Sequence, residues 1–177
     1  MRFTNWSVIT GAPCSGKTTI INELERAGYP VVHEVARACI DAEIRGGRSI
    51  EEIKADPLAF ERRILMEKVT IEAALPEQAA VFLDRAVPDS IAYFQFEGLD
   101  PEECIRLSHA VRYRRIFFFE QLDFENDAVR AENPLSAQTI GNLIETSYLE
   151  LNYDIIRVPV LPVDRRLQFV LDRVESL

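Results

Sequence analysis

Residues 11–18 read GAPCSGKT, and they directly follow an apolar run at residues 6–10. A strand followed by the spacing G-x-x-x-x-G-K-[ST] is typical of a phosphate-binding loop. The two glycines, Gly11 and Gly16, let the backbone curl until successive N–H groups point at phosphate oxygens. The helix that begins near Gly16 adds the positive end of its dipole at the same place. The sequence therefore predicts a nucleoside triphosphate site.

Lys17 and Thr18 provide the side-chain chemistry of this loop. The Lys17 ammonium suits the β- and γ-phosphates, and the Thr18 hydroxyl suits Mg²⁺. An amphipathic helical pattern at residues 17–27 follows, which disfavours the alternative of a glycine-rich turn with an unrelated lysine. The residues predicted to bind the nucleotide here are Gly11, Ala12, Pro13, Cys14, Ser15, Gly16, Lys17, Thr18 and Thr19.

The length, charge and cysteine content of the chain exclude several classes of protein. A chain of 177 residues suits one domain that needs no disulfide or structural metal. The 29 acidic and 20 basic residues give a net charge of −9, which argues against sequence-independent nucleic-acid binding and against docking on anionic lipid. The three cysteines, Cys14, Cys39 and Cys104, form no C-x-x-C pair, so we expect reduced thiols and no zinc site.

We expect one cytoplasmic domain over residues 1–177. The N-terminus lacks a basic-then-apolar signal region, and no apolar stretch approaches the roughly 20 residues that cross a bilayer. We find no internal repeat, low-complexity tract or long linker that would divide the chain.

Short apolar runs alternate with helical patterns, which indicates an α/β fold with a parallel sheet flanked by helices. The predicted strands lie at residues 7–10, 30–33, 80–83, 115–119 and 155–159. The predicted helices lie at residues 17–27, 35–45, 57–75, 89–98, 101–111, 135–151 and 164–174. The start of the helix at residue 101 is supported by a capping-box pattern at residues 100–103.

The segment at residues 122–134 is polar, acidic and aperiodic, and we interpret it as a loop that can act as a lid. Its one cation is Arg130. Two interpretations stay open, because this arginine either pairs with the neighbouring acids in solvent or closes over the γ-phosphate, where an arginine can contribute about 10³ to 10⁵ in turnover.

Glu34 follows the second predicted strand, and Arg37 lies one helical turn later. Ligands of open α/β sheets bind beyond the carboxyl ends of the strands, so Glu34 is a candidate base for an attacking hydroxyl. Arg37 is a candidate contact for the acceptor. The alternative is an ordinary ion pair between these two residues at the start of a helix.

Asp84 and Arg85 end the third predicted strand. A carboxylate at the tip of a buried apolar strand is the Walker-B pattern, in which it holds Mg²⁺. Arg85 would then lie beside the transferring phosphate or the acceptor. The alternative is that Asp84 caps the next helix.

Val158 and Pro159 lie at the end of the last predicted strand, which we expect beside the phosphate-loop strand. This placement would put both residues at the border of the nucleotide base. The chain contains no [NT]-K-x-D motif, which selects guanine, so we expect ATP rather than GTP.

Four segments carry a family resemblance: the phosphate loop, the EVAR segment at residues 34–37, the DRAVPDS run at residues 84–90 and the VP pair at residues 158–159. With these in order, the chain resembles small AAA-type P-loop ATPases that are close to the ribosylnicotinamide kinase domain, within the nucleoside and nucleotide kinase group. The resemblance spans nearly the full length and includes the NDAVR segment at residues 126–130.

The resemblance implies a three-layer P-loop NTPase fold, with a five-stranded parallel sheet in the order 2-3-1-4-5 and helices on both faces. It also implies ATP and Mg²⁺ as cofactors. The implied site residues are Lys17 and Thr18 on phosphate and Mg²⁺, Glu34 on the acceptor side, Asp84 and Arg85 at the strand end, and Arg130 in the lid.

Two hypotheses about function follow. The first is a small-molecule kinase, in which an acceptor hydroxyl or phosphate enters between Glu34, Arg37 and Arg85 and meets Mg-ATP. The second is a nucleotide-dependent binding or regulatory module, an ATPase or GTPase whose slow hydrolysis sets a conformational state. The acidic, arginine-poor lid favours the second.

Overall fold

The computed structural model describes residues 1–122 and 134–175. The strands are β1 (Arg2–Phe3), β2 (Ser7–Gly11), β3 (Val31–Val32), β4 (Phe82–Asp84), β5 (Val111–Arg112), β6 (Arg115–Phe119) and β7 (Ile155–Val158). The helices are α1 (Lys17–Arg26), α2 (Val35–Arg45), α3 (Ile50–Lys54), α4 (Pro57–Ala74), α5 (Asp89–Phe96), α6 (Glu102–Ser108), α7 (Pro134–Glu150) and α8 (Val163–Glu175).

Five strands form one parallel sheet in the order β3-β4-β2-β6-β7. Numbered by their order along the chain, these strands read 2-3-1-4-5, which confirms the predicted topology. The last strand nevertheless pairs with β6 and not with the phosphate-loop strand β2. Our expectation that β7 lies beside β2 was wrong, because β6 separates the two.

The sheet carries a hydrophobic core on each face, because neighbouring residues of a strand point to opposite sides. Val8 belongs to a cluster that includes residues of α4, α5 and α7. Ile9 belongs to a second cluster with residues of α1 and α8. Helices therefore cover both faces, as predicted for a three-layer fold.

Four short elements depart from the sequence prediction, since β1, β5 and α3 were not predicted and α6 ends early. The helix predicted at residues 101–111 ends at Ser108, and β5 follows it and pairs in parallel with β1. This pairing joins parts of the chain that are distant in sequence, so no local sequence pattern predicts it. The reciprocal capping box occurs at α3, between Ser49 and Glu52. At α6 the N-cap is Pro101, and the predicted Asp100 carboxylate accepts from the Glu102 N–H at 3.0 Å without the reciprocal bond.

The carboxyl ends of the strands bring the candidate site to one edge of the sheet. Gly11 ends β2 with φ of 131°, and a Cβ at this position would lie 2.4 Å from the carbonyl oxygen of Phe119. Gly141 of α7 packs against Ala12, where an added Cβ would lie 2.9 Å from the Ala12 methyl group. The phosphate loop is therefore held closely between β6 and α7.

In the described part of the chain, every helix is too short or too polar to cross a membrane. The three cysteines are free thiols, as expected.

Candidate nucleotide and acceptor site

The phosphate loop connects β2 to α1 and folds around the Lys17 side chain. The Lys17 ammonium donates to the carbonyl oxygen of Ala12 at 2.6 Å and to Ser15 Oγ at 3.1 Å. Cys14 and Gly16 have φ of 59° and 82°, so the loop turns through the left-handed region twice. Burial, with a further contribution from Arg85, lowers the pKa of Lys17 to about 7.

Thr18 and Asp84 meet where the sequence analysis places Mg²⁺. Thr18 Oγ1 lies 3.5 Å from Asp84 Oδ2. The other carboxylate oxygen, Asp84 Oδ1, is buried and has no hydrogen-bond partner among the described residues. Burial, and then the nearby charge of Glu34, raises the pKa of Asp84 to about 6. An unpartnered carboxylate oxygen beside an exposed hydroxyl fits a hard cation, which prefers oxygen ligands.

This pair does not make a complete metal site by itself. Within residues 1–122 and 134–175, no three His, Cys, Asp or Glu side chains lie close enough together to hold an ion. Mg²⁺ commonly binds through one or two protein groups together with substrate phosphates. The arrangement therefore suits a cation that arrives with a nucleotide.

Arg85 links the phosphate loop to the acceptor side. Its guanidinium donates to Glu34 Oε1 at 3.2 Å, to the Gly11 carbonyl oxygen at 3.1 Å and to Asp89 Oδ1 at 3.1 Å. It also lies over the ring of Tyr93, 5.4 Å from the centroid. Arg85 is 5% exposed and has φ of 68°, so buried contacts hold this backbone conformation.

Asp89 anchors this network, and the sequence analysis did not assign it to the site. Its carboxylate accepts from Thr10 Oγ1 at 2.5 Å, from the Tyr148 hydroxyl at 2.6 Å and from the Ala86 N–H at 2.9 Å, besides Arg85. Burial would raise the pKa of Asp89, but the charges of Arg85 and Lys68 and the hydrogen bonds from Ala86 and Thr10 together outweigh it and lower that pKa. The sequence signal that could have identified Asp89 is its place as the second Asp of the DRAVPDS run at residues 84–90.

Glu34 and Arg37 do not pair with each other, in contrast to the alternative considered above. Glu34 pairs with Arg85, whereas Arg37 lies 3.7 Å from Asp41 on the next turn of α2. The Glu34 side chain keeps a third of its surface exposed. Both residues line the same cavity, so the predicted acceptor contacts are brought together.

A cavity of about 550 Å³ opens beside Glu34 and Arg85. Its volume lies in the range of small-molecule pockets. Apolar and aromatic side chains form much of its wall, including Ile40, Phe60, Ile64, Tyr93, Phe96 and Ile140. The cavity therefore offers a largely apolar chamber that reaches Arg85, which bonds the phosphate loop at the Gly11 carbonyl oxygen.

Two charged residues of α4 line this cavity although they are buried, and the sequence analysis missed both. Glu61 is 7% exposed and Lys68 is 4% exposed. The Lys68 ammonium donates to Ser90 Oγ at 3.1 Å, and burial lowers its pKa. Burial raises the pKa of Glu61 to about 7, and Lys68 only partly offsets this effect.

We expect Glu61→Gln to stabilise the protein in a pH-dependent way. The pKa of Glu61 is about 7 when folded, above its ordinary value of 4.5, so its contribution to stability is lost as the pH rises through 7. The charges that act on it are Lys68 on α4, Glu97 just after α5 and Lys54 on α3. The free energy of unfolding should rise by about 2 to 3 kcal/mol at pH 8 and by less than about 1 kcal/mol at pH 5.

Urea unfolding of both proteins at the two pH values checks this expectation. Glu67→Gln, an exposed change on the same helix, is the control. Equal effects of Glu61→Gln at pH 5 and pH 8 would show that burial does not raise the pKa of Glu61.

Val158 and Pro159 lie on the opposite side of the phosphate loop. The Val158 side chain is fully buried in the core, and the Pro159 carbonyl oxygen accepts from Arg166 at 3.0 Å. Their predicted contact with a nucleotide base stays a prediction. Arg166 also donates to the Ser15 carbonyl oxygen at 2.7 Å, so it ties α8 to the phosphate loop. Arg130 lies outside the described residues.

A comparison with models of known protein families shows which family this chain belongs to. Residues 6–166 match the model of the family described as AAA domain. The chain belongs to this AAA domain family. The match begins before β2 and reaches Arg166, so it includes every site element described above. No curated protein matches the sequence.

Solved structures show the same fold. The NadR protein in complex with NR superposes with a TM-score of 0.70 at 20% identity, over 98% of this chain and 51% of that one. Thymidylate kinase from Ehrlichia chaffeensis superposes with a TM-score of 0.68 at 13% identity, over 99% of this chain and 100% of that one. Deoxyadenosine kinase from M. mycoides superposes with a TM-score of 0.64 at 12% identity, over 97% of this chain and 98% of that one. This AAA domain protein thus spans about half the length of NadR and has the fold of P-loop kinases.

Proposed function

We infer that this protein binds Mg-ATP and transfers the γ-phosphoryl group to a hydroxyl of a small, nucleoside-like acceptor. The observation that carries the proposal is the position of Glu34, whose carboxylate lines the 550 Å³ cavity and is tied through Arg85 to the phosphate loop. The phosphate loop and the acceptor chamber are therefore linked through Arg85.

Lys17 and the curled backbone of the phosphate loop would hold the triphosphate. The Lys17 ammonium now bonds Ala12 and Ser15, so it can exchange these oxygens for phosphate oxygens without leaving the loop. Phosphoryl transfer needs mainly positioning and charge stabilisation, which this loop is suited to supply. Thr18 and Asp84 would hold Mg²⁺, which neutralises phosphate charge when bound.

Glu34 would accept the proton of the attacking hydroxyl. Arg85 fixes the direction of this carboxylate, and Arg85 is itself held by Asp89 and the Gly11 carbonyl oxygen. These three bonds use Nε and Nη1 of Arg85, which also lines the cavity, so its Nη2 group could still donate to an acceptor. The choice of a hydroxyl acceptor therefore rests on Glu34, which can take the proton of a hydroxyl.

The size and wall of the cavity support a nucleoside-like acceptor. Aromatic residues line it, and planar rings pack well against aromatic side chains. Proteins of the same fold include a thymidylate kinase and a deoxyadenosine kinase, and a NadR structure contains NR. These similarities support the choice of compounds to test.

A thermal-shift screen of nucleosides, nucleotides and ring-bearing metabolites in the presence of Mg-ADP tests the proposal, because a bound acceptor stabilises the folded state. Compounds that raise the melting temperature are then assayed for phosphorylation with Mg-ATP. We expect at least one nucleoside to bind and to be phosphorylated. ATP or GTP hydrolysis that no compound stimulates would instead favour the regulatory hypothesis.

A further inference from the structure

Glu61 lies at the end of the acceptor cavity that is remote from the phosphate loop. Lys68 marks the near end, because it bonds Ser90 beside the Asp89 and Arg85 network. Glu61 precedes Lys68 by seven residues on α4, which corresponds to two helical turns, or about 10 Å. The charge of Glu97, just beyond the end of α5, acts on Glu61 and agrees with this position.

The Glu61 side chain is almost completely buried, and its carboxylate lacks a bonded partner within residues 1–122 and 134–175. It is 7% exposed, and it makes no hydrogen bond or ion pair with the described residues. Its remaining exposure is toward the cavity that it lines. A buried carboxylate that lacks partners costs stability, so packing alone does not account for a charged residue at this position.

The neighbours of Glu61 are suited to a flat ring. Phe60 and Phe96 line the same cavity, as does Tyr93 closer to Arg85. A ring packed among these side chains would present its edge to the α4 wall. When it is ionised, the Glu61 carboxylate only accepts hydrogen bonds, so this form favours a ring edge that carries N–H groups.

We propose that Glu61 is a specificity-determining residue that accepts a hydrogen bond from an exocyclic amine on the acceptor's base. This proposal rests on the proposed function, because it assumes that the acceptor's hydroxyl lies at Glu34. It adds a substrate class, namely nucleosides whose base carries an amine rather than nucleosides in general. A site built to bond such a group discriminates strongly against an analogue that lacks it.

The test compares nucleosides that differ only by the amine. Adenosine is paired with purine riboside, and cytidine with the riboside of 2-pyrimidinone. Calorimetry in the presence of Mg-ADP measures their affinities for the wild-type protein, for Glu61→Gln and for Glu61→Met. Glu67→Gln, an exposed change on the same helix, is the control.

We expect the amine-bearing member of at least one pair to bind the wild-type protein about tenfold or more tightly. Glu61→Met should remove this preference, because its side chain has no oxygen acceptor, whereas Glu61→Gln should keep part of it. Both variants should leave Mg-ADP binding unchanged. Glu61→Met should also raise the melting temperature of the ligand-free protein, since it removes a buried carboxylate without a partner.

Three outcomes would overturn the proposal. If both members of each pair bind the wild-type protein equally, or if Glu61→Met retains the preference, Glu61 does not select the amine, although the proposed function stands. A lower melting temperature of Glu61→Met would show that Glu61 serves the fold by balancing Lys68. If Mg-ADP binds but no nucleoside does, the proposed acceptor class fails, and this inference fails with it.

Discussion

Glu34→Gln should lower the rate of phosphoryl transfer by about 10² to 10⁴ while leaving the affinity for Mg-ATP almost unchanged. The amide cannot take the proton of the attacking hydroxyl. Its oxygen can still accept from Arg85, which also keeps its bonds to Asp89 and to the Gly11 carbonyl oxygen. The phosphate loop should therefore keep its shape.

Steady-state kinetics with the acceptor found by the screen, together with calorimetry of Mg-ATP binding, separates these two effects. Glu51→Gln is the matched control, because Glu51 is an exposed acid on α3 that does not line the acceptor cavity. Turnover of Glu34→Gln close to that of the control would exclude Glu34 as the base.

Asp89→Ala should destabilise the protein by about 3 to 5 kcal/mol. The carboxylate is fully buried, and its loss leaves Arg85 with one fewer anion and removes the partner of Thr10 and Tyr148. A loss of this size is a large share of the roughly 5 to 15 kcal/mol that stabilises a typical domain.

The shift in the midpoint of urea unfolding measures this loss of stability. An unchanged dependence of the unfolding free energy on urea concentration would show that both proteins expose the same surface on unfolding. Asp164→Ala is the control, since Asp164 is exposed at the start of α8. A loss below about 1 kcal/mol would show that the site does not depend on Asp89 as its anchor.

The phosphate loop and the sheet could be predicted because their signals are local. A G-x-x-x-x-G-K-[ST] spacing fixes a backbone shape over eight residues, and short apolar runs mark strands that are buried on both faces. Asp84 and Glu34 followed from the rule that parallel strands present their carboxyl ends at one edge.

The charged wall of the acceptor cavity could not be predicted in this way. Glu61 and Lys68 are buried charged residues on α4, so a search for an apolar helix face places them toward solvent. Their burial depends on the packing of α4 against α5, which joins segments that no local pattern relates. The position of β7 was missed for a similar reason, since the neighbour of a strand is a property of the whole sheet.

Calorimetry of Mg²⁺ with a non-hydrolysable ATP analogue tests most directly the claim that this loop binds a triphosphate. We predict saturable binding at one site of the wild-type protein, weakened by about 10- to 100-fold in Lys17→Ala, because hydrogen bonds to charged groups contribute roughly 1.5 to 3 kcal/mol. The absence of any heat of binding to the wild-type protein, or equal affinities of the two proteins, would contradict the claim.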